Sequence, residues 1–337
     1  MKDMKKTLFI LTAIAALVSG CKSTKVLLPS VSGKAGEVIV VMEKADWEGS
    51  LGEATRGLLA AEVPYFIQQE PLYTLVNVTP SAFGDLFKVH RNIVMFSVDP
   101  QVDSTGVIYR QDVWSSPQCV IQICAYDSDG AEQILAERGD RIVTAIEQAE
   151  RNRVIRNSIR YEEKKATAAV MKVFGGSPRI PTGYKIRKIT DDFAWIANDT
   201  QTAYKDILIY RYPVTEEDPF TREHIIAHRN EIMMENVPGM FDNTYMTTGE
   251  AFEPMCQTLR YQGRYFVETR GWWEVKGDYM GGPFVSHSFY NRDGSEIYVA
   301  EAFVYAPAYD KRQYLRQAES ILYSWEWADE DKEEETK

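Results

Sequence analysis

Three runs of strand-forming residues follow one another closely near the C-terminal end, at 264–276, 284–290 and 296–305. They commit that part of the chain to β-sheet, and strand geometry then sorts their side chains. Neighbouring residues on a strand face opposite ways. In 264–276 one side carries Tyr265, Val267, Thr269, Gly271, Trp273 and Val275. The other carries Arg264, Phe266, Glu268, Arg270, Trp272, Glu274 and Lys276. The adjacent tryptophans are thereby split, with Trp273 expected in the core and Trp272 on a charged face. Gly281-Gly282-Pro283 reads as a turn, whose glycines allow positive φ.

The mixed face suggests candidate ligand contacts. A tryptophan between an arginine and an acid stacks on a planar or sugar ring while its neighbours fix orientation. Arg270, Trp272 and Glu274 are the residues in question. His287 shares parity with Val285 and Phe289, which points it at the core. Glu301 shares parity with Val299 and Phe303, and a carboxylate there requires a partner such as His287 or an arginine. The same pattern also allows Glu301 to lie outward, with Ala300 and Ala302 packed inward.

Earlier segments alternate in type. Strands are expected at 37–42, 72–78, 92–98, 107–113 and 118–125, with a helix at 48–61. Short connections among the last three favour antiparallel pairing. One long helical region, capped by Asp129, is expected over 131–175 and ends at Gly175-Gly176-Ser177-Pro178. Its basic stretch is interleaved with Glu147, Glu150, Glu162 and Glu163, which reads as a solvated helix face. The expected fold is α+β, with antiparallel sheets, segregated helices, and two lobes (37–130 and 176–327) joined by the long helix. An acidic tail, expected to be disordered, occupies 328–337.

The first residues point to the cell envelope. MKDMKK is basic, and LFILTAIAALV is an apolar run of signal-peptide length, too short to span a bilayer. Val18-Ser19-Gly20-Cys21 resembles the bacterial lipobox, in which the cysteine is lipidated after removal of residues 1–20. Residues 21–36 then form a lipidated tether. Removal of the leader takes three lysines and one aspartate, leaving 35 basic against 48 acidic residues, a balance of −13. Such a chain is poorly suited to nucleic acid or to an anionic membrane surface, so the lipid itself must hold it to the membrane. Lys22-Ser23-Thr24-Lys25 lacks an inner-membrane retention aspartate, which favours the outer membrane, facing the periplasm. Cys119, Cys124 and Cys256 are an odd set, read as small buried residues.

A helix expected at 221–235 places His224 and His228 on one stripe with Glu231. Two imidazoles and a carboxylate are a zinc-type ligand set, although the pattern is not His-Glu-x-x-His. Nucleophile-elbow, Walker, dinucleotide and Cys-x-x-Cys motifs are absent from the sequence.

The segments GYKIRKITDDFAWI, RGWWEVKGDYMGGPFVSH and EAFVYAPAYDKRQYLRQAESIL together resemble an uncharacterised family of Bacteroidetes lipoproteins, catalogued as a domain of unknown function. The resemblance implies an envelope lipoprotein and no particular chemistry. The resulting expectation is a binding or scaffolding module for an envelope protein, peptide or glycan. The alternative is a metal-dependent or carboxylate/histidine enzyme acting on an envelope substrate.

Overall fold

The computed structural model describes residues 27–328. The leader, Cys21 and the tail beyond Ala328 lie outside the described residues. Two main sheets organise what is described, and the α+β expectation holds.

The first sheet contains β1 (Glu37–Val41), β2 (Thr74–Val78), β3 (Asn92–Val98), β4 (Gly106–Gln111) and β5 (Cys119–Ala125), in the order β2-β1-β3-β5-β4. Its pairing differs from the expected antiparallel run. β1 is parallel to β2 and β3, and β3 is parallel to β5. Only β4 is antiparallel, on the edge. Burial explains the order. β3 and β5 are apolar along most of their length, whereas β4 is largely exposed. The apolar β5 passes over the polar β4 to reach β3, where both faces can be covered.

Helices α1 (Lys44–Glu48), α2 (Ser50–Leu59), α3 (Asp85–Lys88) and α4 (Ser128–Arg160) accompany this sheet. Leu51 and Leu59 of α2 meet Ile142 and Ile146 of α4 in a core over Val38, Val40, Val94 and Ile121. The α4 cap is Asp127, not Asp129: its carboxylate accepts the Gly130 N–H at 2.8 Å.

The expected single helix over 131–175 is two helices, α4 and α5 (Lys164–Phe174). The break is made by tertiary capture. Thr182 donates both its N–H (2.7 Å) and its hydroxyl (2.8 Å) to the Tyr161 carbonyl. Glu163 N–H turns to Ile180 O at 2.8 Å. Gly175, with φ of 67°, ends α5 in the left-handed region.

The second sheet is antiparallel throughout. Its strands are β7 (Lys185–Ile189), β8 (Phe193–Ala197), β9 (Tyr204–Pro213), β10 (Tyr245–Thr248), β11 (Met255–Tyr261), β12 (Arg264–Lys276), β13 (Gly281–Tyr290) and β14 (Glu296–Tyr305). The order is β10-β12-β13-β14-β9-β8-β7, with β11 also paired to β12. A short ladder joins β6 (Gly176–Ser177) to β15 (Glu326–Trp327). One face packs α5 and α7 (Arg312–Leu322) over Ile207, Ile209, Ala302 and Val304. The opposite face packs α6 (Arg222–Asn236) over Tyr210, Val299 and Phe284.

The lobes share polar contacts. Glu70 of the first lobe accepts the N–H groups of Lys311 (2.7 Å) and Arg312 (2.8 Å), capping α7. Glu147 of α4 pairs with Arg316 of α7 at 2.7 and 3.0 Å, and Tyr73 donates to it at 2.6 Å. Cys119, Cys124 and Cys256 are free thiols. Among the described residues no helix is long and apolar enough to cross a membrane.

Candidate functional site

The charged face of β12 is internal, which corrects the expectation of an exposed tryptophan. Trp272 is buried, and a Cβ at Gly249 or Gly281 would lie within 2.9 Å of its indole. Glu274, half-buried, stands opposite Thr247 on β10. Arg270 bonds Glu268 at 2.7 Å and reaches Glu319 of α7 at 2.6 and 3.3 Å. The face therefore ties the sheet to α7. The turn expected at Gly281-Gly282-Pro283 lies earlier: those residues open β13, and the positive φ belongs to Gly277.

His287 faces Glu268, not Glu301, because its register partners are Glu268 and Ala300. It stacks on Phe266 at 4.1 Å, and its Nε2 lies 3.7 Å from Glu268. Burial opposes the charge on Glu268, but Arg270 and His287 outweigh it and hold the carboxyl well below the usual range. Burial in turn pushes the His287 imidazole down, against the pull of Glu268. A carboxylate pinned in this way is a poor proton acceptor near neutrality.

Glu301 faces the opposite side of the sheet, where its partner is Arg229 of α6. The pair is bidentate at 2.8 and 2.6 Å, and both residues are fully buried. Arg229 also donates to Thr248 at 3.1 Å and covers the Phe284 ring at 4.0 Å. Ala300 and Ala302 are buried too, on the other face. β14 is covered on both sides, so parity alone could not say which face was inside. The signal for Arg229 was its spacing: it stands four residues from both Ile225 and Met233, the other buried positions of α6.

The zinc-type set does not converge. His224 Nδ1 lies 2.8 Å from the Asp218 carbonyl. His228 pairs with Glu216 at 2.9 Å and stacks on Tyr212 at 4.1 Å. Among the described residues no three His, Cys, Asp or Glu side chains form a metal-holding group. Helical spacing aligned these residues, and packing then gave each histidine a local partner.

A cavity of about 620 Å³ lies on the α6 side of the second sheet. Its floor is built by Trp195 of β8, Asp206 of β9, Trp273 of β12, and Phe303 and Tyr305 of β14. Phe303 and Asp206 are register partners, so the aromatic ring and the carboxylate stand side by side. Trp273 meets Phe303 edge-on at 5.3 Å and anchors its indole N–H on Val304 O at 3.2 Å. Two loops frame the mouth, and their tips are the exposed Met240, Phe241 and Tyr279. Sequence reasoning passed over Asp206 because an acid at a strand start reads as a boundary. Its parity with Leu208, Tyr210 and Tyr212 placed it on the apolar face.

Asp206 accepts the Trp195 indole N–H at 2.7 Å and the Asn198 N–H at 3.0 Å. Burial nonetheless pushes its carboxyl up from 3.8 to about 6. Between those values the unfolded chain has released a proton that the folded chain still holds. The contribution of Asp206 to stability therefore falls as pH rises from about 4 to about 6, by about 3 kcal/mol in all. Urea unfolding across this range should show that loss as the difference between the native protein and Asp206→Asn, which share every other titrating group. A carboxyl resonance titrating near pH 4 would refute the assignment.

Comparison with known proteins gives two family matches. Residues 31–158 match a domain of unknown function (DUF8532), and residues 163–324 match another (DUF4837). The seam between them falls at the break between α4 and α5. No curated protein matches the sequence. Among solved structures, the crystal structure of human STARD10 aligns at 8% identity over 52% of this chain and 83% of that one. Its TM-score is 0.24, and a likeness of that size carries no argument. The two family matches together span most of the sequence, so that two domains of unknown function, one after the other, cover the chain.

Proposed function

We propose that this chain is a lipid-anchored cell-envelope protein that binds an apolar ligand in the Asp206 groove. The groove carries the reading: its volume falls in the range of small-molecule sites, and its wall is largely aromatic and apolar, with the buried carboxylate of Asp206 in its floor and Arg187 and Asp278 as its other charged residues. The exposed Met240, Phe241 and Tyr279 extend the apolar surface outwards to meet the ligand. The ligand is an apolar body with a hydrogen-bond donor at its inner end, facing Asp206. The basic leader, the apolar run and the lipobox-like Cys21 support anchoring, on the periplasmic side of an outer membrane.

Titration with N-phenylnaphthylamine, a neutral apolar amine that fluoresces when shielded from water, tests the groove. Fluorescence should rise on binding. Phe241→Asp and Tyr279→Ser change exposed tips, so each should weaken binding about tenfold without moving the thermal midpoint. No enhancement with the native protein, or equal affinity in both variants, would overturn the reading. For the anchor, Cys21→Ser should abolish acyl labelling in cells, and persistent labelling would refute it.

A further inference from the structure

A second cavity, about 450 Å³, lies between the lobes and has the opposite chemistry. Arg91 and Arg153 line it from the first family region, and Lys205, Gln313 and Arg316 from the second. Its one acidic wall residue is Glu150. Arg91 and Arg153 share that single carboxylate, each at 3.1 Å. Arg316 is neutralised by Glu147. Lys205 has no carboxylate within ion-pair distance among the described residues, and its ammonium donates to Gln317 at 3.3 Å. The wall therefore carries more positive than negative charge, in a chain whose overall balance is strongly acidic.

Hydrogen bonding runs the same way. Arg91 Nε and Gln313 Nε2 are buried there without an acceptor, against one wall acceptor, Asn198 Oδ1, without a donor. Buried donors in native proteins are nearly always paired, so a donor-rich wall is short of acceptors. Burial also pushes the Lys205 amine down, the response of a cation held away from both water and a counter-charge. An oxyanion would supply what is missing, since guanidinium and ammonium groups bind it through charge-assisted hydrogen bonds. Cavities between structural units are common ligand sites.

We propose that this inter-lobe cavity binds a compact phosphoryl oxyanion, either free phosphate or the phosphate end of a small ester. Bound there, the anion contacts both lobes and holds them together.

The test uses the full chain, phosphorus NMR and thermal unfolding. Inorganic phosphate and glycerol phosphate are titrated in parallel, with sodium chloride at matched ionic strength as the control. One or both should raise the unfolding midpoint beyond chloride and broaden on the protein. Tighter binding of the ester would identify a phosphoester, and equal or tighter binding of phosphate the free ion. Lys205→Gln should weaken binding about tenfold, and Lys205→Arg, which keeps the charge, should restore most of it. If neither anion exceeds the chloride control, or Lys205→Gln binds as tightly as native protein, the proposal fails. Should Lys205→Gln not fold, loss of phosphate broadening on adding excess sulfate to native protein supports the site. Broadening unchanged by sulfate overturns it.

Discussion

Arg229→Met is expected to destabilise the protein by about 3–5 kcal/mol, the usual result of removing one partner of a buried ion pair. Glu301 would remain fully buried and lose both short bonds from the guanidinium. It could shed its charge only by taking up a proton. Phe284 and Thr248 would lose a neighbour as well. The double change Arg229→Met with Glu301→Leu should recover most of the loss, because neither residue then brings a charge into the core. Urea denaturation of the native protein, both single variants and the double variant measures the coupling. A double variant as unstable as the sum of its parts would show that the pair contributes through packing and not through compensated charge.

The second large effect is expected at Gly282. A Cβ there would sit 1.9 Å from the Val304 carbonyl oxygen, a backbone atom of the paired sheet. It would also come within 3.0 Å of Trp273 Nε1, which donates to that same carbonyl. Gly282→Ala must therefore push β13 away from β14 or turn Trp273 out of the core. Overpacking of this kind costs about 3 kcal/mol. Thermal unfolding followed by tryptophan fluorescence should show a lower midpoint and a perturbed native spectrum. Gly57→Ala supplies the contrast, because a Cβ there meets nothing within 4 Å and its φ is not positive, so its midpoint should not fall. Equal midpoints for Gly282→Ala and native protein would refute the close-approach argument.

Much of the second sheet was legible because alternation survives where strands are long. Trp273 fell on the apolar side of β12 by parity, and it is among the largest fully buried side chains. Legibility failed where both faces are covered. On β12 the polar side is buried beneath α7, so Arg270 and Glu268 resemble a solvent face in sequence and form an internal network in space. β10 and β11 escaped notice because they are short or half-exposed, and pairing with β12 decides their state. The parallel first sheet was hidden for a different reason. Adjacent strands in sequence suggest adjacent strands in space, and the polar β4 breaks that rule. The groove carboxylate was readable from parity, whereas the cavity between the lobes depends on contacts more than a hundred residues apart, such as Gln317 with Lys205.

The cap that Glu70 places on α7 carries a consequence for how such proteins can be cut and recombined. The two family regions look like modules, but a helix in one begins on a carboxylate from the other. A fragment holding only 163–324 would keep Arg316 and lose Glu147, and would start α7 with bare N–H groups. A hybrid joining either region to a relative's counterpart would inherit the same defect unless both contacts were matched again. The seam in sequence is thus not a seam in stability, and the two regions are expected to melt together.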